Sequence, residues 1–155
     1  MASSPIAPWE KKAFAASVFG LGLTGVAQMP IFSRYYIADI PGFAWLGDFV
    51  FTHMLHYALA AVFLYFAFRF AATYVLAGRR DHPLTASGAV RVAVYAALIV
   101  TGAVRMVKNL SWVYMGEWPV LVVDWTHLFL AMVLLGAVLW ARGGDRRRYT
   151  ALSRR

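Results

Sequence analysis

Four long apolar stretches decide what this 155-residue chain can fold into. They run from about Ala13 to Phe32, Phe49 to Leu76, Ala86 to Val107 and Val120 to Trp140. A bilayer core takes roughly 20 mostly apolar residues per helix. None of the stretches alternates with period two, and all are too long for strands, so helix is the expectation for each. The first carries no charge. The second holds Arg69 late in it, and the fourth holds Asp124 near its start. In the third, Arg91 and Arg105 are expected to snorkel toward opposite interfaces. Hydrophobic residues make up 61% of the chain and charged ones 14%, whereas a soluble domain has about 45–50% and about 25%. That balance excludes an ordinary soluble enzyme and a disordered tail. The expected fold is all-α, an integral membrane four-helix bundle forming one domain over residues 1–155.

The first stretch reads as an uncleaved signal anchor. It is longer than a signal-peptide core, and Gln28-Met29-Pro30 is a poor cleavage site. Four spans place both termini on one side. Lys11, Lys12, Arg69, Arg79, Arg80, Arg91, Arg142, Arg146, Arg147, Arg148, Arg154 and Arg155 fall at one face, and Arg34, Arg105 and Lys108 at the other. The positive-inside rule makes the richer face cytoplasmic and predicts a multi-pass protein of a bacterial inner membrane. The net charge of +8 then serves topology and contact with anionic lipid, and no nucleic-acid partner is expected. There is no cysteine, which excludes disulfides, cysteine zinc sites, iron–sulfur clusters and thioether-linked haem.

The outer loops are rich in aromatics: Tyr35, Tyr36, Phe43 and Trp45 in the first, Trp112, Tyr114 and Trp118 in the second. They read as an interfacial belt, with docking of an extramembrane partner as the second reading. No internal repeat is evident from the letters. Gly20-Leu-Gly-Leu-Thr-Gly25 matches a dinucleotide fingerprint, but no strand precedes it, so the match is discarded.

Ionisable residues inside spans are costly and are functional candidates by default. His82 lies in the short cytoplasmic loop and reads as solvated. His53, His56 and His127 lie inside spans. At 1.5 Å per residue, His56 is about 20 Å from Arg69 and His127 about 22 Å from Arg142. The two imidazoles are thus expected at matching depth on different helices, as bis-histidine ligation of one b-type haem requires. The bland alternative for each is a hydrogen bond between helices.

His53 and His56 are three residues apart and share a helix face, so either can be the ligand. The depth match favours His56, which leaves His53 to bond a propionate or a quinone carbonyl. Gly20, Gly22 and Gly25 in the first span and Gly102 in the third are expected to leave room between helices. Arg105 and Lys108 are placed to pair with propionates or to polarise a quinone oxygen. Asp124, three residues before His127, is a proton-relay candidate beside His53. It also reads as a helix N-terminal charge or an ion-pair partner of Lys108.

Four spans, Leu55-His56 in the second, His127 in the fourth and Thr101-Gly102 in the third resemble the four-helix cytochrome b subunits of respiratory complexes. The similarity is to the formate dehydrogenase gamma, thiosulfate reductase and hydrogenase cytochrome b family. That family commonly binds a second haem through a first-span histidine and another in the fourth, and this chain has neither. The resemblance implies a membrane anchor with one haem b. Such a subunit passes electrons between a periplasmic iron–sulfur or cytochrome c subunit and the quinone pool, inside a hetero-oligomeric complex rather than as a stand-alone enzyme. With haem and quinone near the same outer face, the step is expected to be electroneutral. The alternative from another class is a haem-free structural anchor with a quinone contact site.

Overall fold

The computed structural model of the chain describes residues 6–29, 34–78, 82–142 and 148–151. The described residues are helical and contain no strand; their one β-bridge joins Leu84 to Thr150. The four helices are α1 (Pro8–Ala27), α2 (Phe49–Thr73, prolonged by a π-helical turn over Tyr74–Gly78), α3 (Ala86–Val107) and α4 (Glu117–Trp140). The segments Phe49–Leu76, Ala86–Val107 and Glu117–Trp140 are long and apolar enough to cross a membrane.

Helix α1 begins five residues before the expected first span. Pro8 occupies its first turn, where a missing N–H costs nothing. The Glu10 carboxylate accepts the Ala7 N–H at 2.7 Å. The expected end of that span, residues 30–32, lies outside the described residues, as do Arg79, Arg80, Arg146, Arg147, Arg154 and Arg155. Helix α2 starts where Asp48 caps it, accepting the Phe51 N–H at 2.9 Å. Helix α3 starts where Thr85 accepts the Gly88 N–H at 2.9 Å. Both are short polar side chains satisfying a first-turn donor.

The chain divides into two compact units, Met1–Ala77 and Gly78–Arg155. In the first, α1 and α2 run antiparallel. The Glu10 carboxylate pairs with the Arg69 guanidinium at one end. Phe14 packs on Phe63 and Phe70 with ring centroids 5.4 Å apart in both cases. Gly20 lies against Leu59, whose Cδ1 would be 2.8 Å from an added Cβ. Thr24 and Gln28 then meet the histidines of α2.

In the second unit, α3 and α4 run antiparallel through Thr101–His127 and Arg105–Asp124. Arg91 does not snorkel outward as expected. It is 5% exposed, its Nε donates to the Ser87 carbonyl at 3.0 Å, and its guanidinium lies 3.7 Å from the centroid of the Tyr149 ring. A nearby aromatic face and carbonyls replace the water that snorkelling would have reached.

Large apolar side chains remain exposed along the helices, among them Met54, Tyr65 and Phe68 on α2 and Val122, Trp125, Phe129 and Leu135 on α4. Soluble monomers rarely expose so much contiguous apolar surface. Lipid is the solvent that such faces fit.

Candidate functional site

Two of the three span histidines share one kind of surrounding, and His53 has another. On α2, Nδ1 of His56 lies 2.9 Å from Oγ1 of Thr24. One turn earlier, Nδ1 of His53 lies 3.2 Å from Oε1 of Gln28. The Gln28 amide is oriented by its Nε2, which donates to the Thr24 carbonyl at 3.3 Å. The His53 ring is stacked beside Phe49, at 5.4 Å between centroids, and edge-on to Tyr57, at 4.5 Å. On α4, Nδ1 of His127 lies 2.8 Å from Oγ1 of Thr101.

The glycine after each threonine faces the same imidazole. A Cβ on Gly25 would be 3.5 Å from Cε1 of His56, and one on Gly102 would be 3.4 Å from Cε1 of His127. A longer side chain at either position would meet the ring. At Gly22, expected to provide room, an added Cβ meets nothing within 4 Å. The close approach that a glycine permits here is therefore at Gly25.

Asp124 is an ion-pair partner of two cations. Its Oδ1 accepts from Arg105 Nε at 2.8 Å and from Lys108 Nζ at 2.9 Å, and its Oδ2 lies 2.7 Å from Lys108 Nζ. Within this cluster one carboxylate faces two cations, and Glu117 adds a second carboxylate in the first turn of α4, so the cluster itself, though not the whole helix end, keeps a cation for a further anionic group.

The two units thus repeat one local geometry. Thr24, Gly25 and Gln28 of α1 act on His56 and His53 of α2; Thr101, Gly102 and Arg105 of α3 act on His127 and Asp124 of α4. In both helices the threonine-bonded histidine follows the other contacted residue, His53 or Asp124, by three positions. The correspondence is not evident from reading along the sequence. The signal is present in the letters: Leu23-Thr-Gly-Val-Ala-Gln-Met29 stands beside Val100-Thr-Gly-Ala-Val-Arg-Met106. It is short, and the equivalent polar partners are of different types, so letter identity does not reveal it.

Of the residues singled out in the sequence, the fold brings Gly102 to His127, and Arg105 and Lys108 to Asp124. Thr24 and Gln28 were not singled out, and both prove to hold a histidine. Among the described residues no cluster of three or more histidines and carboxylates has metal-binding geometry. Tyr35, Tyr36, Trp112 and Tyr114 are exposed, as is Trp118, which lies in the first turn of α4 rather than in the loop expected of it, while Trp45 is half-buried and meets Phe51 edge-on. Compared with models of protein families, with curated proteins and with solved structures, the chain matches none.

Proposed function

We propose that the chain is the membrane-anchoring cytochrome b subunit of a respiratory oxidoreductase complex. It would transfer electrons between a periplasmic-side iron–sulfur or cytochrome c subunit and the quinone pool. One observation carries this reading: each apolar helix pair holds one histidine in the same way, by a threonine hydroxyl on Nδ1 and a glycine beside Cε1. An imidazole held in this way on each helix pair is the donor type that a haem b takes, and on this reading His56 and His127 would be its axial ligands.

The residue types support that group: each helix pair offers one imidazole. Arg105 and Lys108, partly neutralised by Asp124, would hold propionates. His53, carried on the aromatic face between Phe49 and Tyr57, would offer a hydrogen bond to a propionate or a quinone carbonyl. Haem, when bound, supplies one-electron redox chemistry, while the chain supplies ligands, dielectric and hydrogen bonds. The excess of Lys and Arg at one face supports cytoplasmic termini in a bacterial inner membrane.

The second reading is a haem-free structural anchor with a quinone contact site. It is favoured by the fact that Thr24 and Thr101 already give His56 and His127 a bond between helices, which suffices to retain a histidine in a span.

A dithionite-reduced minus oxidised spectrum of the purified, folded protein, with pyridine haemochrome quantitation, tests the proposal. One b-type haem per chain, lost in His56→Ala and in His127→Ala but kept in His53→Ala, is the expected result. No haem in a folded preparation from haem-replete cells would overturn it in favour of the structural anchor.

A further inference from the structure

The hydroxyls of Thr24 and Thr101 have one proton each, and each sits over its own helix. Thr24 Oγ1 is 2.8 Å from the Gly20 carbonyl and Thr101 Oγ1 is 2.9 Å from the Ala97 carbonyl, both four residues back. A carbonyl only accepts, so these contacts use the hydroxyl proton. The same oxygens then meet Nδ1 of His56, at 2.9 Å, and of His127, at 2.8 Å, as acceptors. The one assignment that makes all of these contacts hydrogen bonds puts the hydrogen on Nδ1 in both rings. In a neutral imidazole that puts the lone pair on Nε2. The glycines at 25 and 102 let each ring lie close to the neighbouring helix without a side chain to turn it.

We infer that Thr24 and Thr101 are equivalent positioning residues, each fixing the tautomer and rotation of its histidine so that Nε2 is the nitrogen offered to a metal. The inference rests on the proposed role of His56 and His127 as haem ligands and goes beyond it by naming what aims them. A hydrogen-bond acceptor on Nδ1–H makes the ligand more basic. Greater basicity favours the ferric state, so both threonines lower the midpoint potential. The hydroxyls would act through the ring that they hold.

The test uses the full chain in detergent or nanodiscs, with Thr24→Val, Thr101→Val and the matching serine variants. Valine keeps the shape and removes the acceptor; serine returns it. The expected result is a higher midpoint potential and altered low-spin ferric g-values in each valine variant, with both restored by serine. Valine variants that keep haem and show wild-type potential and g-values would overturn the inference.

A measurement on the unaltered protein guards against variants that do not fold. With 15N-labelled histidine, the ring nitrogens of His56 and His127 are expected to show a bonded, exchange-protected hydrogen on Nδ1 and none on Nε2. A hydrogen on Nε2 in either residue would overturn the inference. Folded wild-type protein without haem would instead sink the proposed function, while the same nitrogen spectrum would still report whether the threonines set the tautomers.

Discussion

Gln28 and Arg105 hold the same place in two different helix pairs. Each lies four residues beyond the threonine that bonds a histidine, and each reaches the residue three before that histidine: His53 for Gln28, Asp124 for Arg105. One helix pair therefore has a neutral amide–imidazole contact where the other has an ion pair. The difference puts fixed charge beside His127 and none at the matching place beside His56.

This asymmetry predicts unequal costs. Asp124→Asn leaves Arg105 and Lys108 without their carboxylate and is expected to lower the thermal midpoint. Adding Arg105→Gln should recover part of the loss. The Arg105 and Asp124 side chains are about a third exposed, so a double-mutant cycle should return a coupling of about 0.5–1 kcal/mol. Gln28→Ala should leave the melt nearer to wild type, since it removes one neutral bond at 3.2 Å. Equal losses at Asp124 and Gln28 would contradict the asymmetry.

The glycines make a second comparison. Gly25→Leu should push the His56 ring off Thr24, because even a Cβ at that position is 3.5 Å from Cε1. Gly22→Leu enters open space. The first variant is expected to be less stable than the second by about 1–3 kcal/mol, the usual cost of overpacking. Chemical or thermal melts of the two proteins in one detergent decide it, and Gly102→Leu should behave like Gly25→Leu.

A third prediction concerns pH. The Glu10 carboxyl lies before the expected first span and is 3% exposed. The Arg69 guanidinium, and then the Ala7 N–H, hold it below the usual carboxylate range. A depressed folded-state pKa contributes stability above the unfolded value of about 4.3, and that stability is lost as pH falls through the folded value. Wild type should melt higher than Glu10→Gln at neutral pH, and the gap should close in acid. A gap independent of pH would mean that the pair contributes through shape alone.

The start of α3 gives a fourth. Tyr149 accepts the Thr85 N–H at 2.9 Å, and Thr85 Oγ1 donates to the Arg148 carbonyl at 2.8 Å. A Cβ on Gly88 would fall 2.2 Å from the Tyr149 carbonyl oxygen, which is backbone and cannot swing aside. Gly88→Ala should therefore release residues 148–151 from the helix start, seen as faster limited proteolysis after Arg148. Gly136→Ala on α4, where nothing lies within 4 Å of the added methyl, should not. There the substitution should stabilise by roughly 0.5–1 kcal/mol through helix propensity alone.

The sequence by itself determined the helices and, for α2, α3 and α4, a length and apolarity sufficient to cross a membrane. Long uncharged runs can satisfy their backbone in lipid only as helices, and α3 occupies the residues expected of it, Ala86–Val107. Short polar caps at Asp48 and Thr85 are likewise local facts, written within four residues of each helix start. The histidines were legible as costly residues in apolar surroundings. What each one meets was not. His53 and His56 share a helix face, and only the neighbouring helix assigns Gln28 to one and Thr24 to the other.

Tertiary structure alone also made Gly25, rather than Gly22, the glycine beside a ring, and turned Arg91 back onto Tyr149. It exposed the repeat as well, because equivalence resides in which atoms meet across a helix pair. Periodicity along one helix fixes a face. The partner of that face is set by contacts between residues far apart in the chain, such as Thr24 with His56 and Thr101 with His127.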